Sequence, residues 1–328
     1  MNVAGQFCPS DYRYLVSDLA RQADLHTGAL YVVGGRYGNR CSLDIIDAMV
    51  TLEETSAVVA FNGDFHWFAA VPDHFAEANR RVMTHFLRCA ATSKPNLLAQ
   101  SASAQVVGCA YPQTVDDGTV DRSNWILERL RACVDALPGI REQFRALPMT
   151  LVAGVGALRV GIVHGDADAL SGWRFAHDGL DAPTSHPWLD AVRAASAVDV
   201  YASSHTCLPA LRDFQLQAGQ LAIINNGAAG MPNFLGTSHG ALTRIGTRPS
   251  PHRALYGIER DGVFIDALSV PCDQRQSRRE FAETWPPGSP AYESYFSCIV
   301  GGPQFLQREA YLGAAIGTSQ RCPSTYVG

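Results

Sequence analysis

Residues 29–33 (Ala-Leu-Tyr-Val-Val) are apolar throughout and stop at Gly34-Gly35, the pattern of a buried strand that runs into a tight loop. Residues 43–52 read as a helix. Residues 56–61 then return to an extended apolar run that ends at Asn62-Gly63-Asp64. Strand, loop, helix and strand in that order imply parallel pairing, because a parallel return needs a crossover. Ahead of this unit, Tyr12, Leu15, Val16 and Leu19 fall on one stripe behind Ser10, so residues 10–22 are predicted to form a capped helix. Further helices are predicted over 74–89 and 121–146, the latter broken at Pro138-Gly139.

Beyond residue 146 the pattern changes. Residues 149–153 and 158–163 are largely apolar runs separated by Gly154-Val155-Gly156, as in a hairpin. Strands are predicted at 198–202, 221–225, 241–245, 254–259 and 263–269. A helix over 188–194 has Pro187 suited to its first turn. Helix-covered parallel strands followed by a strand-rich half predict an α/β fold of two packed sheets with helices outside. From Pro271 the chain turns polar and proline-rich and reads as an extension. The expected organisation is an N-terminal helical extension over 1–27, a principal domain over 28–270 and a C-terminal extension over 271–328.

Composition narrows the function. The chain has 328 residues, 47% hydrophobic and 17% charged, enough apolar material for a large core and too much for disorder. Its net charge of -5 offers no electrostatic footprint for nucleic acid or an anionic membrane, so neither is an expected partner. Lys94 is the single lysine. Nine cysteines (8, 41, 89, 109, 133, 207, 272, 298 and 322) contain no CxxC pair, and an odd count argues against a complete disulfide framework. With no secretory signal or membrane-length apolar run, the expected location is cytoplasmic.

Ligands in open α/β sheets collect beyond the carboxyl ends of strands, so the loops there carry the chemistry. Five stand out: Gly34-Gly35-Arg36-Tyr37-Gly38-Asn39, Asn62-Gly63-Asp64-Phe65-His66, His164-Gly165-Asp166, Ser203-Ser204-His205-Thr206-Cys207 and Asn225-Asn226-Gly227-Ala228-Ala229-Gly230. The carboxylate of Asp64 and the imidazoles of His164 and His205 suit Zn, Mn or Fe if the loops converge.

This ordered set resembles the calcineurin-like metallophosphoesterase family, whose motifs run GDxHGN, GDxxD, GNH(E/D), a histidine after a strand, GHxH and an Asn-Gly turn. The matching segments are 34–39, 62–67, Pro95-Asn96-Leu97-Leu98, His164, 204–207 and Asn226-Gly227, spanning about residues 28–270. The resemblance implies a four-layer α/β/β/α sandwich of two facing mixed sheets flanked by helices. It also implies a metal centre of Asp64, Asn96, His164 and His205, with Asp64, Asn96 and His164 serving catalysis.

The departures matter as much. Gly35 and Tyr37 stand where the family has two ligands of its first metal, Cys207 stands at a third, and Leu97 replaces the general-acid histidine. The expectation is one ordinary metal, or one beside a non-standard site, so one or two divalent or trivalent transition ions. Cys207 as thiolate, Tyr37 as phenolate and His66 are substitute ligands; each also has a packing alternative. Arg36 is either an anion clamp or an exposed loop arginine, Asn39 belongs to the same loop, and Asp166 either orients His164 or caps a turn. The leading expectation is a hydrolase of phosphoesterase descent that cleaves a small phosphorylated or anionic ester through a metal-bound water. A catalytically inactive binding protein on the same scaffold is the alternative. A dinucleotide-binding protein is the second, suggested by the Gly34-Gly35-x-x-Gly38 loop.

Overall fold

The structure, a computed structural model, describes residues 7–9, 12–85, 87–88, 106–110 and 117–312. In chain order the strands are β1 (Phe7–Pro9), β2 (Leu25–Thr27), β3 (Ala29–Val33), β4 (Ala57–Phe61), β5 (Leu87–Arg88), β6 (Val106–Ala110), β7 (Leu151–Val155), β8 (Leu158–Ile162), β9 (Val200–Ser203), β10 (Ala210–Leu216), β11 (Gly219–Asn225), β12 (Gly240–Gly246), β13 (Ala254–Arg260) and β14 (Val263–Val270). The helices are α1 (Arg40–Val50), α2 (Pro72–His85), α3 (Asp117–Ala136), α4 (Ile140–Arg145), α5 (His177–Asp181), α6 (His186–Ser196), α7 (Gln274–Thr284), α8 (Pro290–Gly301) and α9 (Gln307–Ala310).

Two six-stranded mixed sheets, ordered β10-β11-β9-β8-β7-β2 and β13-β14-β12-β3-β4-β5, face each other. Their pairing follows from strand periodicity. On β3, Leu30 and Val32 enter the core between the sheets beside Val160, Ile162, Ala202 and Ile224, whereas Tyr31 and Val33 face α1 and α2. A third cluster seats Leu189 and Val192 of α6 against Tyr201 and Ile223 on the outer face of the other sheet. The result is the expected four-layer sandwich. At its centre β3–β4, β8–β9 and β9–β11 are parallel, so five strand ends converge on one edge.

Three expectations change. Residues 10–22 do not form one helix: the described part holds a 3-10 turn, Val16–Ala20, preceded by chain paired with the 168–170 loop through Tyr14 N–H to Asp168 O and Leu170 N–H to Tyr12 O. That long-range pairing takes the Tyr14 amide and the Tyr12 carbonyl that a helix would use. The segment before residue 28 also contributes β2, which joins β7 in parallel. The segment after residue 271, read as an extension, supplies core. Trp285 is fully buried, with its indole N–H on the Phe68 carbonyl at 3.0 Å, and Phe281, Ala291 and Ile299 join the same cluster. Among the described residues no helix is long and apolar enough to cross a membrane.

Candidate metal centre

The site begins with backbone. Beyond β3 and β4 the two loops zip together: the amides of Gly35, Tyr37 and Gly38 donate to the carbonyls of Gly63, Asp64 and Phe65 at 3.1, 3.0 and 3.2 Å. Beyond β8 and β9, Ser204 and His205 both donate to the His164 carbonyl, at 3.0 and 2.9 Å. Two buried amides stitch these pairs across the sheets. Asn62 donates to Val163 O at 2.8 Å and Asn226 to Val32 O at 3.1 Å.

These constraints bring Asp64, His164 and His205 together, with one donor atom of each within 4.8 Å of the others. His164 Nε2 lies 3.5 Å from Asp64 Oδ2 and 3.1 Å from His205 Nδ1. His164 Nδ1 lies 2.7 Å from the Asn62 carbonyl. A carbonyl only accepts, so Nδ1 carries the proton and Nε2 turns a bare lone pair toward the other two residues. Burial lowers both imidazoles to about 3, helped at His205 by the adjacent His164 and opposed there by Asp64. Both rings are therefore neutral, the form a cation needs. Separations of 3.1 and 3.5 Å are edges of a polyhedron whose corners stand ~2.1 Å from a shared centre, the bond length of Zn–N and Zn–O. The trio fits a transition ion.

Local strain accompanies this placement. Tyr37, Asp64 and Cys207 are three of the five described non-glycine residues at positive φ, at 54°, 52° and 60°. Gly63 has φ 135°, and a Cβ there would strike the His164 ring. Gly63→Ala is expected to push the imidazole off Asn62, lower stability by ~2–4 kcal/mol and weaken metal uptake at least ~10-fold. Urea denaturation and metal titration of the purified variant check this; unchanged values in both would contradict it.

The other sequence candidates divide. Asn96 and the segment 95–98 lie outside the described residues. Cys207 does not join the trio; its Sγ contacts the Tyr37 hydroxyl and lies 3.4 Å from the His205 carbonyl. Burial and the neighbouring Asp64 raise the Cys207 thiol to about 12, while burial, Cys207 and Asp64 raise the Tyr37 phenol well above its ordinary value. Both are neutral and satisfy each other. His66 does not join the trio either: it is fully buried and stacks on Phe75 with ring centroids 4.2 Å apart. Arg36 is neither an anion clamp nor an exposed loop arginine. It is buried, 1% exposed, and donates to the Phe65 carbonyl at 3.0 Å. Asn39 caps α1 through Ser42 N–H and donates to Gly230 O. Asp166 organises its own turn by accepting from the amides of Asp168, Ala169 and Arg174, so Asn62 and not Asp166 orients His164.

The glycine loop is no dinucleotide cradle. The amides of Gly35, Tyr37 and Gly38, and that of Asn39 on Arg36 O, are spent on protein carbonyls, leaving none of the four for a pyrophosphate.

Several contributors escaped sequence reasoning. Trp173 meets His205 edge-on at 5.4 Å, and Ser204 Oγ stands 3.2 Å from His164 Nδ1. Tyr295 of α8 packs on Phe68 at 5.0 Å, and burial first, then its nearness to Cys207 and Asp64, raises its phenol. An isolated aromatic after a polar loop, or on a helix two hundred residues away, leaves no local signal.

The neutral histidines fix a pH response. Their folded values lie below the ordinary 6.5, so an unfolded chain binds protons that the folded one refuses. Stability is complete above pH ~6.5 and falls as pH drops toward 3. His164 and His205 together give a slope approaching ~2.7 kcal/mol per unit. Urea midpoints of chelated protein between pH 7 and 5 read this out; a flat profile would refute buried neutral rings.

No protein-family model matches the sequence, and no curated protein matches it. Solved structures do. A hypothetical protein of Pyrococcus horikoshii is similar at TM-score 0.54 and 14% identity, over 85% of this chain and 99% of that one. A metallophosphoesterase from Sphaerobacter thermophilus is similar at TM-score 0.52 and 13% identity, over 84% of this chain and 100% of that one. The chain shares that fold.

Proposed function

We propose that this chain is a divergent calcineurin-like metallophosphoesterase, a metal-dependent hydrolase that acts on a small phosphorylated or similarly anionic ester in the cytoplasm, without a nucleic-acid or membrane partner. The observation that carries the reading is the convergence of Asp64, His164 and His205. The fold shared with a metallophosphoesterase supports it. Asn96 is the fourth ligand in this reading, and the ion is Zn, Mn or Fe.

Bound there, such an ion supplies Lewis-acid polarisation of an ester oxygen and acidifies a coordinated water. The protein does the rest. Asn62 holds the His164 tautomer, His164 and His205 present neutral nitrogens, and Asp64, its side chain 18% exposed, adds negative charge at the edge open to solvent. Tyr37 and Cys207 engage each other, which supports one ion and not two.

That same closure favours a second reading, an ion-holding binding protein without turnover. Metal analysis of purified protein, with hydrolysis of p-nitrophenyl phosphate and its bis-ester before and after chelation, tests both. One equivalent with chelator-sensitive turnover supports the enzyme; one equivalent without turnover on either ester supports the binding protein. Failure to take up any of the three metals rejects both. Cys207→Ser is expected to keep the single equivalent; loss of metal would show the thiol to be a ligand.

A further inference from the structure

A pocket separate from the metal centre lies where the loop into α1 meets α2, α7 and the loop after β11. Tyr37 forms part of its wall while its hydroxyl turns to Cys207, and none of Asp64, His164 and His205 lines it. Hydrogen bonds between these elements fix its shape. Asn39 donates to Gly230 O at 2.9 Å and to Ser277 Oγ at 3.2 Å, and Ser277 donates in turn to Asp273 O at 2.9 Å. Gly230 lies so close to the Arg36 carbonyl that a Cβ there would overlap it, so one loop rests directly on the other. A pocket held in this way is formed before anything enters it.

Its walls set its chemistry. Phe68, Met231, Phe281 and Ile299 supply apolar surface, and the Phe68 ring stands 5.3 Å from Tyr37 and, edge-on, 5.0 Å from Phe281. Three rings around one pocket suit a flat apolar body. Charge enters from the side of α1 and α2. Arg40 commits one nitrogen to Glu77 at 2.9 Å while its side chain stays 47% exposed, and His74 adds an imidazole. Behind the same loop, Arg36 is buried; it donates to the Phe65 carbonyl and leaves its Nε without a partner among the described residues. Burial, then Arg81, lowers the Arg36 guanidinium to about 9 against the pull of Glu77, so at neutral pH it remains a cation close to Arg40. Glu280 is the opposing carboxylate, on α7, and accepts from Gln276 at 2.8 Å. Two guanidinium groups behind one wall favour an anion there.

We propose that this pocket is a second small-molecule site, which binds an aromatic carboxylate with its ring among Tyr37, Phe68 and Phe281 and its carboxylate on Arg40 and His74. A planar guanidinium offers paired N–H donors that match the two carboxylate oxygens. Glu280 repels the same group and so keeps it on the α1 side. The site stands apart from the hydrolytic reading, because it uses no residue of the trio and needs no metal.

The test is calorimetric titration of full-length protein, in excess chelator, with 1-naphthoate and with the cation of 1-naphthylmethylamine, which carries the same ring and the opposite charge. The expected result is saturable binding of naphthoate at one equivalent, with the cation at least ~10-fold weaker. Arg40→Gln is expected to weaken naphthoate roughly 3- to 10-fold. Thr284→Trp, on the α7 wall, is expected to fill the pocket and abolish binding. The proposal is overturned if naphthoate does not saturate, if the cation binds as tightly or more tightly, or if either folded variant binds naphthoate as the wild type does. The comparison of the two probes needs only the wild type, so a variant that misfolds does not obscure the answer. Chelator keeps the carboxylate from reporting on a metal ion, so failure here and failure of the metal centre are read separately.

Discussion

His164→Ala is expected to reduce purified protein from about one bound ion per chain to under a tenth, and to take any phosphoester turnover to background with it. His164 is the hub of the trio, since its Nε2 faces both Asp64 Oδ2 and His205 Nδ1. Losing residues that merely orient a ligand costs 10–100-fold in metal affinity, so removing this one costs at least ~100-fold. The ring is also fully buried between the two sheets, and the cavity it leaves lowers stability. Asp64→Asn separates these effects: it deletes a charge at a partly exposed position and is expected to lose metal while unfolding near the midpoint of chelated wild type. Measured metal content and urea curves for both variants decide the matter. Full retention of ion and turnover by His164→Ala would remove the basis for the centre.

Glu53→Ala is expected to be the most destabilising single change away from the site, by ~3–5 kcal/mol. Glu53 follows α1 and receives both arms of the Arg244 guanidinium from β12, at 2.5 and 2.9 Å, together with the Tyr31 hydroxyl of β3 at 2.6 Å. The two charged side chains are 0% and 3% exposed. Truncation leaves a buried cation without its bidentate partner, with Asp266 the nearest carboxylate at 3.9 Å. Burial alone would raise the Glu53 carboxyl; the hydrogen bonds from Arg244 and Tyr31 outweigh it and hold the group below its usual range. Its contribution is therefore present at neutral pH and fades as acid protonates it. The urea midpoint should fall with an unchanged slope, and the folded variant should bind metal as wild type does. A loss under ~1 kcal/mol would mean that the pair is no more than neutral.

The split between local and long-range information runs through particular residues. Apolar runs marked β3, β4, β8, β9 and β11, those of β3, β4 and β11 ending in glycine or asparagine, because a strand buried on both faces must be apolar on both and give way to polar residues at its loop. The polar residues just beyond those ends, Asp64, His164 and His205, were therefore legible. Sequence alone also established the layered α/β plan, since parallel strands require helical crossovers. It did not show which way a side chain turns once the loops meet. His66 sits two residues from Asp64 yet stacks on Phe75, Cys207 sits two from His205 yet turns to Tyr37, and Arg36 is buried under the loop that was expected to expose it. Trp285 looked like part of a polar tail and became core because Phe68 supplied an acceptor for its indole. Periodicity reports the face a segment hides from water; only the contact between distant segments decides what it hides against, and that contact is what the tertiary structure determined.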